Sequence, residues 1–509
     1  MTVDILVTLV LIVLYLFLGH WYRNRNSKVK VWPVVGMLPT LVSNVDRIFD
    51  FLTDLVKLNG GTFKFQGPWF SSLNFVVTAH PVNINHILCR NHENYGKGQE
   101  FREIFEPFGE GLVTSDSHVW KRLRKVLQPF TKNNKKYAAY LDRILRQMVE
   151  GSLIPVLQHV VRLGTEVDLE DLLHRFDYDY ICLLTLGCNP KTLSVEFPVS
   201  ETLKAFEGVE EALLYRNFVP KMVWRLQKWI QIGEEKKLSK GLKTVDDFMY
   251  GCILSRRKEL RRSGEAKAEV DDQFDLLTAF MVEEEGSDMC ELGKSDKFLR
   301  DTAYNFITAG MDSTNVNLTW FFWLIGTHPW VENKIVEEMK ANCPESIDGK
   351  MLYFSGEELN KFVYLHAALC ETMRLYPTVP LNNKTSVEAD VLPNGGHIGP
   401  NTRIFISMYS MGRSEEIWGE DCLEFKPERW ISEEGKIAYK PTSTFVPFGA
   451  GARVCLGKDL CFKMMKTVAI NVVWNYQVEL VEKQNVVMSS KAIALHTEHG
   501  LKVRIKKRQ

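Results

Sequence analysis

The sequence predicts a mainly α-helical protein with small β-sheets, and three observations support that prediction. Residues 297–327 read as one long helix of about 45 Å, at ~1.5 Å per residue, which would cross a whole domain. Helical patterns dominate from about residue 81 onward. Short runs of strand composition stand at 62–65, 75–79 and 402–407, and the Pro-Asn-Gly-Gly turn at 393–396 predicts a hairpin.

Composition limits the class of protein. The 509 residues are 45% hydrophobic and 25% charged, which is ordinary for a globular chain that buries a large core. The formal net charge is zero, so no nucleic-acid partner is predicted. The ten cysteines are scattered without a Cys-x-x-Cys pair, which argues against zinc ribbons, common iron–sulfur sites and a disulfide scaffold.

The amino-terminal segment predicts a membrane anchor. Residues 5–18 are apolar apart from Thr8, and the stretch 5–22 would span about 27 Å, close to the ~30 Å hydrocarbon core of a bilayer. A cleaved signal peptide would begin with positive charge, whereas here Asp4 precedes the run and basic residues follow it. The positive-inside rule then leaves the rest of the chain cytosolic, as a single-pass protein.

The same segment sets the predicted domain boundaries. Residues 1–22 form the transmembrane anchor, and residues 23–39 form a basic hinge in which prolines prevent the helix from continuing. Residues 40–509 then make up one large domain.

Residues 445–466 form the stretch around which the chain is organised. Cys455 ends a loop that carries Gly449 and Gly451, and glycines permit tight turns and close approach of a flat ligand. After the loop the pattern turns helical, with apolar residues at four-residue spacing. A thiolate near a helix amino terminus and free backbone N–H groups is expected to stay deprotonated and to suit iron. The structural alternative is an inert buried cysteine in a glycine-rich turn.

Five fixed positions in this stretch resemble the haem-binding loop of the cytochrome P450 family, the haem-thiolate monooxygenases: Phe448, Gly451, Arg453, Cys455 and Gly457. The resemblance implies a fold with a large helical lobe and a smaller β-rich lobe. It also implies non-covalent haem b with Cys455 as the axial iron ligand, and Arg453 neutralising a haem carboxylate. The resemblance covers the chain after the anchor, so residues 40–509 would be the catalytic domain.

The long predicted helix contains the cluster 308–314, where Gly310 weakens the helix and predicts a kink or groove. Residues Ala309 to Thr314 resemble the family's oxygen-activation motif, Ala/Gly-Gly-x-Asp/Glu-Thr-Thr. This implies catalytic roles for Asp312, Ser313 and Thr314, and haem contacts for Ala309 and Gly310. The alternative is a polar patch in a buried helix.

Two positions in the motif carry finer predictions. Serine at position 313 keeps the hydroxyl but lacks the methyl group that limits threonine rotamers, so we expect more leakage to peroxide. Some related hydroxylases bind haem covalently through a glutamate at the position of Ala309. Alanine cannot form that ester.

Two further motifs support the haem loop. Trp120 and Arg124 lie four residues apart on one helical face, and in the family such a pair binds a haem propionate; an amphipathic helix with a basic face is the alternative. Glu371 and Arg374 form the family's Glu-x-x-Arg motif, and Arg429 would join them in a buried structural network. The family more often has phenylalanine where Trp430 stands.

The resemblance also assigns a hydrophobic substrate pocket. Segments 101–111, 377–383 and 492–495 resemble the family's substrate-facing regions. The residues expected to face a hydrophobic small molecule are Phe105, Phe306, Val379, Ile493 and Ala494.

Segments 367–377, 389–395 and 420–430 are similar to the plant clan of fatty-acid and alkane hydroxylases, in the branch with midchain alkane hydroxylases. The implied function is hydroxylation of long aliphatic chains with O2. That branch also contains phenol-coupling enzymes of alkaloid synthesis, which can lack the acid–alcohol pair, so oxidative coupling stays open. A membrane-anchored haem-binding protein without turnover is the alternative from another class.

The electron source is predicted to be a separate protein. The chain has no Gly-x-Gly-x-x-Gly nucleotide fingerprint and no flavin domain, yet each cycle requires two electrons. We therefore expect an NADPH-dependent haemoprotein reductase as partner, with both proteins at the endoplasmic reticulum membrane and in contact with its lipid.

Overall fold

Helices make up most of the computed structural model, which describes residues 2–69, 73–128, 135–262, 275–282, 288–342, 354–481, 486–489 and 492–508. The amino-terminal helices are α1 Thr2–Asn24, α2 Leu38–Val42, α3 Ile48–Leu58, α4 Pro81–Asn85, α5 Gly98–Ile104, α6 Ser117–Leu127, α7 Lys135–Met148, α8 Ile154–Leu163, α9 Leu169–Leu186, α10 Glu201–Phe218, α11 Lys221–Ile230 and α12 Gly233–Arg262. The later ones are α13 Leu276–Met281, α14 Asp288–Gly293, α15 Asp296–Thr327, α16 Pro329–Asn342, α17 Val363–Leu375, α18 Met408–Gly412, α19 Glu415–Trp418 and α20 Lys458–Asn475. The predicted mainly helical class is confirmed.

The strands are β1 Thr62–Phe65, β2 Phe75–Thr78, β3 Tyr95–Gly96, β4 Glu166–Asp168, β5 Leu381–Ser386, β6 Asp390–Val391, β7 His397–Ile398, β8 Arg403–Ser407, β9 Tyr476–Leu480 and β10 Lys502–Lys507. They form a five-stranded sheet in the order β1-β2-β8-β5-β3, a three-stranded sheet β4-β10-β9 and the hairpin β6-β7. In the largest sheet β2 and β8 are parallel, with Val77 opposite Phe405, while β8 and β5 are antiparallel. The strand segments and the hairpin that the sequence predicts are all present.

The long helix α15 contains 32 residues and runs through the helical part of the molecule. Its amino-terminal cap is Ser295, whose hydroxyl accepts from the N–H of Phe298. Most of its side chains are buried, as expected for a helix surrounded by others. The predicted helix over 297–327 is therefore confirmed. It continues without interruption through 308–314, where the sequence predicts a weak point.

Gly310 has a packing role in this helix. A Cβ there would lie 2.7 Å from the Ile181 side chain of α9, so glycine lets α15 and α9 pack closely. Asp177 of α9 then reaches the backbone of α15, where its carboxylate accepts from the N–H of Asn315. The glycine therefore permits close helix packing, and a carboxylate from the neighbouring helix contacts the backbone just beyond the motif.

Two main hydrophobic cores correspond to the helical and sheet-rich parts of the chain. The larger core lies among the helices and includes Phe176, Phe321 and Met465, all fully buried. The smaller core lies under the five-stranded sheet and includes Phe65, Val77 and Ile404. Of the helices in the described parts of the chain, none has the length and apolar character needed to cross a membrane.

Candidate active site

The loop before α20 is closed by its own backbone. The N–H of Cys455 donates to the carbonyl of Phe448 at 2.8 Å, which draws the two ends of the loop together. Gly451 has φ +65°, and a Cβ there would lie 2.2 Å from the carbonyl oxygen of Leu88, so no other residue fits without a backbone shift. The glycine is needed for backbone packing, and the Phe448 ring packs on Phe462 of α20 with 5.3 Å between ring centroids.

The Cys455 thiol is exposed, and its sulfur accepts a hydrogen bond from the N–H of Gly457 at 3.3 Å. The surrounding protein atoms desolvate the thiol, and this raises its pKa, whereas the N–H groups of Gly457 and Lys458 and the charge of Arg124 act in the opposite direction. Desolvation thus opposes the thiolate, while the donors at the start of α20 favour it. Coordination to a metal would favour the thiolate further.

The predicted haem-carboxylate residues converge beside this loop. Trp120 is buried in α6, and the guanidinium carbon of Arg453 lies 4.5 Å from its ring centroid. Arg124 lies 5.9 Å from the same centroid and is close enough to Cys455 for their charges to interact. Arg453 also forms a 2.8 Å ion pair with Asp116. The structure thus brings Trp120, Arg124, Arg453 and Cys455 together.

Two lysines that the sequence analysis missed lie in the same cluster. Burial, reinforced by the nearby positive charge of Arg453, lowers the pKa of Lys97 to about 8. Lys384 of β5 is only 3% exposed, and burial together with the charge of Lys97 lowers its pKa to about 7. Among the described residues, neither ammonium group lies within ion-pair distance of a carboxylate.

Buried cations of this kind favour an anionic ligand. A haem carries two propionate carboxylates, so the cluster of Lys97, Lys384, Arg124 and Arg453 beside a cysteine fits that group. The fit rests on the charge of these side chains and on the Cys455 loop. Lys384 was recognisable in principle, because it shares an inward register with buried Ser386 in β5, and an inward lysine in a strand requires a counter-charge.

One face of α15 keeps accessible surface although its neighbours are buried. Four of its residues are at least partly accessible to solvent: Phe306, Ala309, Gly310 and Ser313. Their spacing of three, one and three residues puts them on one side of the helix. We call these four residues the open face of α15. It is apolar apart from the Ser313 hydroxyl, so an apolar molecule can lie against it.

Thr314 does not belong to the open face. Its side chain is buried, and its hydroxyl donates to the sulfur of Cys461 in α20 at 3.6 Å. The contact joins the middle of α15 to the first turns of the helix that follows Cys455. The structure therefore gives Thr314 a packing contact, and places the open face and the Cys455 loop on neighbouring elements.

Asp312 is buried and does not belong to the open face either; it lies in a cluster that the sequence analysis did not identify. Its Oδ1 is 3.2 Å from Nε2 of His174 in α9 and 3.5 Å from Nε2 of His496 near the carboxyl terminus. The two histidines lower the pKa of Asp312 well below its usual range, although burial opposes this. Burial opposes protonation of His174, but the negative charges of Asp312 and Glu207 raise its pKa to about 9. Asp312 is thus an ionised carboxylate between two cations.

The Glu-x-x-Arg residues form a buried network with Arg429. Arg374 donates to both carboxylate oxygens of Glu371, at 2.7 and 2.8 Å, and Arg429 donates to Oε1 at 3.2 Å. Arg374 also donates to the carbonyl of Cys422 at 2.6 Å, which fixes the segment before the Cys455 loop. The indole N–H of Trp430 completes the network with a 2.8 Å bond to Glu371 Oε2.

The five predicted substrate-facing residues divide into two groups. Phe306, Val379 and Ile493 keep accessible surface. Phe105 is buried and stacks on Phe101 with 4.3 Å between ring centroids, and Ala494 is buried in a cluster with Trp320. The structure therefore does not expose Phe105 or Ala494, because aromatic stacking and core packing cover them.

Known proteins resemble this chain over nearly its whole length. The family model for cytochrome P450 matches residues 27–503. The alkane hydroxylase MAH1 of Arabidopsis thaliana is 39% identical over 479 residues, which cover 94% of this chain and 93% of that protein. Cytochrome P450 86B1 of the same plant is 38% identical over 515 residues, 99% of this chain and 90% of its own. Noroxomaritidine synthase 2 of Narcissus aff. pseudonarcissus MK-2014 is 35% identical over 497 residues, 97% and 94% of the two chains.

Proposed function

The chain belongs to the cytochrome P450 family and is a monooxygenase, and from that premise we propose that it hydroxylates long aliphatic chains, either alkanes or fatty acids. The family implies a haem-thiolate cofactor, which when bound supplies the oxidant that attacks an unactivated C–H bond. We propose that this cofactor is non-covalent haem b with Cys455 as the axial ligand. The protein's own contribution is then to orient the substrate, exclude water and supply protons.

The open face of α15 is the observation that carries the substrate proposal. Phe306, Ala309 and Gly310 offer only apolar surface there, and Val379 and Ile493 add accessible apolar side chains from other segments. Removing a hydrocarbon chain and this surface from water is favourable, by about 25 cal/mol per Å² of apolar area buried. A substrate held in this way has its C–H bonds, and no polar group, against the open face.

Charge at the Cys455 loop supports the haem assignment. The carboxylates of the cofactor would pair with Arg453, Arg124 and the two lysines, while the Trp120 indole would donate from the same side. Ser313, the polar member of the open face, would provide a hydroxyl proton donor on that face. These roles are proposals for residues of this chain, and each has a contact or a burial that supports it.

The proposal also covers the electron donor and the cellular location of the enzyme. We propose that an NADPH-dependent reductase delivers the two electrons of each cycle, since a monooxygenase of this family works with a redox partner. We also propose that residues 1–22 anchor the enzyme in the endoplasmic reticulum membrane, with residues 40–509 on the cytosolic side. The support is the apolar run that opens the chain and the exposed Leu11, Leu18 and Trp21 of α1.

Oxidative coupling of phenols is the second candidate, because one relative is named a noroxomaritidine synthase. Asp312 and Ser313 favour hydroxylation instead. Coupling joins two radicals and reduces O2 to two waters, so it takes up protons as well, but coupling enzymes of this branch can lack the acid–alcohol pair that this chain retains. Hydroxylation consumes one O2, two electrons and two protons for each hydroxyl group and water formed.

The deciding experiment is a substrate panel with labelled oxygen. The full chain, co-expressed with a plant NADPH-dependent reductase in yeast microsomes, would be given alkanes, fatty acids and phenolic amines under ¹⁸O2. We expect an alcohol that carries one ¹⁸O atom from an alkane or fatty acid, and no product from microsomes that lack the reductase. A coupled phenolic product without ¹⁸O, with no aliphatic alcohol, would contradict the proposal and favour the second candidate.

A further inference from the structure

The two histidines beside Asp312 differ in the carboxylate that faces the other nitrogen of each ring. Nδ1 of His174 faces Oε1 of Glu207 in α10 at 3.4 Å, and the Glu207 side chain is 47% exposed. Nδ1 of His496 faces Oε1 of Glu170 at 2.7 Å, but Glu170 is buried and also accepts from the N–H of Thr497 at 3.2 Å. An exposed carboxylate therefore lies behind His174, whereas the carboxylate behind His496 is buried.

From this arrangement we propose that His174 carries protons from solvent to Asp312, with Glu207 as the exposed end of the path and His496 as a positioning residue. The proposal rests on the monooxygenase reaction above, which takes up two protons in each turnover. An imidazole suits the task because its two nitrogens face two carboxylates, one exposed and one buried.

The proton steps balance without a further reagent. The ring gives its Nε2 proton to the Asp312 carboxylate, which releases it towards the open face that carries Ser313. A half-turn of the ring then presents the bare nitrogen to Glu207, which returns a proton taken from water. Each passage moves one proton from solvent to the site, and the reductase supplies the matching electrons.

Every titratable group around His174 is consistent with a stored proton. Asp312 faces it from α15, Glu207 from α10, and Asp177 lies beside it on α9. Burial raises the pKa of Asp177 and of Glu210 well above the usual range, which favours their neutral forms. His496 and Glu170 form a pair of opposite charge on the far side. The remaining ionised carboxylates can thus stabilise a protonated His174.

The test compares three substitutions of histidine by glutamine, which keeps hydrogen bonding but cannot carry a proton through the side chain. In H174Q we expect oxygenated product per NADPH to fall by about tenfold, which is less than the roughly 10²–10⁴-fold effects of proton-transfer groups because water replaces part of the path. Peroxide should rise in step, and the solvent deuterium isotope effect on product formation should exceed that of the wild type. H496Q should lower the thermal midpoint and leave the isotope effect at the wild-type value. H397Q, in the exposed β6-β7 hairpin, should match the wild type throughout.

A substitution of Glu207, at the exposed end of the path, is not expected to disturb folding. E207Q removes the carboxylate that faces solvent and should raise the isotope effect with an unchanged carbon monoxide difference spectrum. The proposal is overturned if H174Q and E207Q keep the wild-type product yield and isotope effect, or if H496Q alters them as much as H174Q does. If the substrate proposal is wrong, the wild-type enzyme makes no aliphatic alcohol, which is a different result from those above. The isotope effects of the variants are then compared with whichever substrate the wild type oxygenates.

Discussion

Trp430 donates its indole N–H to Oε2 of Glu371 at 2.8 Å, inside the network that holds the segment before the Cys455 loop. Phenylalanine, the more usual family residue at this position, has no donor for that carboxylate. Trp430 therefore fills space as an aromatic side chain and is also the fourth hydrogen-bonding member of the network. Its side chain is only 2% exposed, so water cannot replace the bond.

We expect W430F to lower the free energy of unfolding by about 1.5–3 kcal/mol, the cost of losing a hydrogen bond to a charged group. Urea unfolding followed by fluorescence and haem absorbance would measure it. W330F is the matched control, because Trp330 is 44% exposed and should change the free energy by less than ~1 kcal/mol. Equal effects of the two substitutions would contradict the role of Trp430.

Arg374→Ala should prevent stable haem incorporation. Removal of the guanidinium leaves the fully buried Glu371 carboxylate with fewer partners and frees the Cys422 carbonyl, at a cost of about 3–5 kcal/mol. Haem content per purified protein is the measurement. Arg47→Ala, which breaks an exposed 2.6 Å ion pair with Asp54, should leave haem content at the wild-type level.

Cys455→Ser should abolish the carbon monoxide difference band of the reduced enzyme and all product formation, because a hydroxyl does not replace the thiolate ligand. Cys461→Ser should keep the band, since Cys461 is buried and its sulfur accepts from Thr314. Burial also raises the pKa of Cys461 to about 12, so it is no alternative thiolate. If the Cys455→Ser variant kept the band, Cys455 would not be the thiolate ligand.

Ser313→Thr should reduce the release of peroxide per NADPH. The added methyl group restricts the rotamers of a hydroxyl on the open face of α15, so the proton donor stays in place for a larger fraction of turnovers. Peroxide and product would be quantified together for the two proteins. Equal peroxide yields would show that the serine has no effect on coupling.

Stability should depend on pH through His174. Its pKa is raised to about 9 in the folded protein, against ~6.5 when unfolded, so protonation favours the folded state. The stabilisation is complete below pH 6.5 and is lost as the pH rises to 9. The difference in unfolding free energy between wild type and H174Q should therefore shrink over this interval, as measured by urea unfolding at several pH values. A difference that is constant with pH would contradict the assigned pKa shift.

Local patterns were sufficient for much of the fold. The length of α15, the first strands and the β6-β7 hairpin follow from periodicity and turn residues that lie next to each other in the chain. The Glu371–Arg374 pair was equally accessible, because residues three apart on a helix face the same way. The expected weakness at Gly310 was misread, since only the packed partner α9 reveals that this glycine allows close approach.

The sequence by itself determined the Cys455 loop and the membership of the family, because both depend on residues within a few positions of one another. Only the tertiary structure decided what surrounds Asp312. His174, Glu207 and His496 come from three other segments, and their meeting depends on how α9, α10 and the carboxyl-terminal segment pack on α15. Contacts between distant segments leave no period in the sequence, so the roles of the two histidines become visible only once the chain is folded.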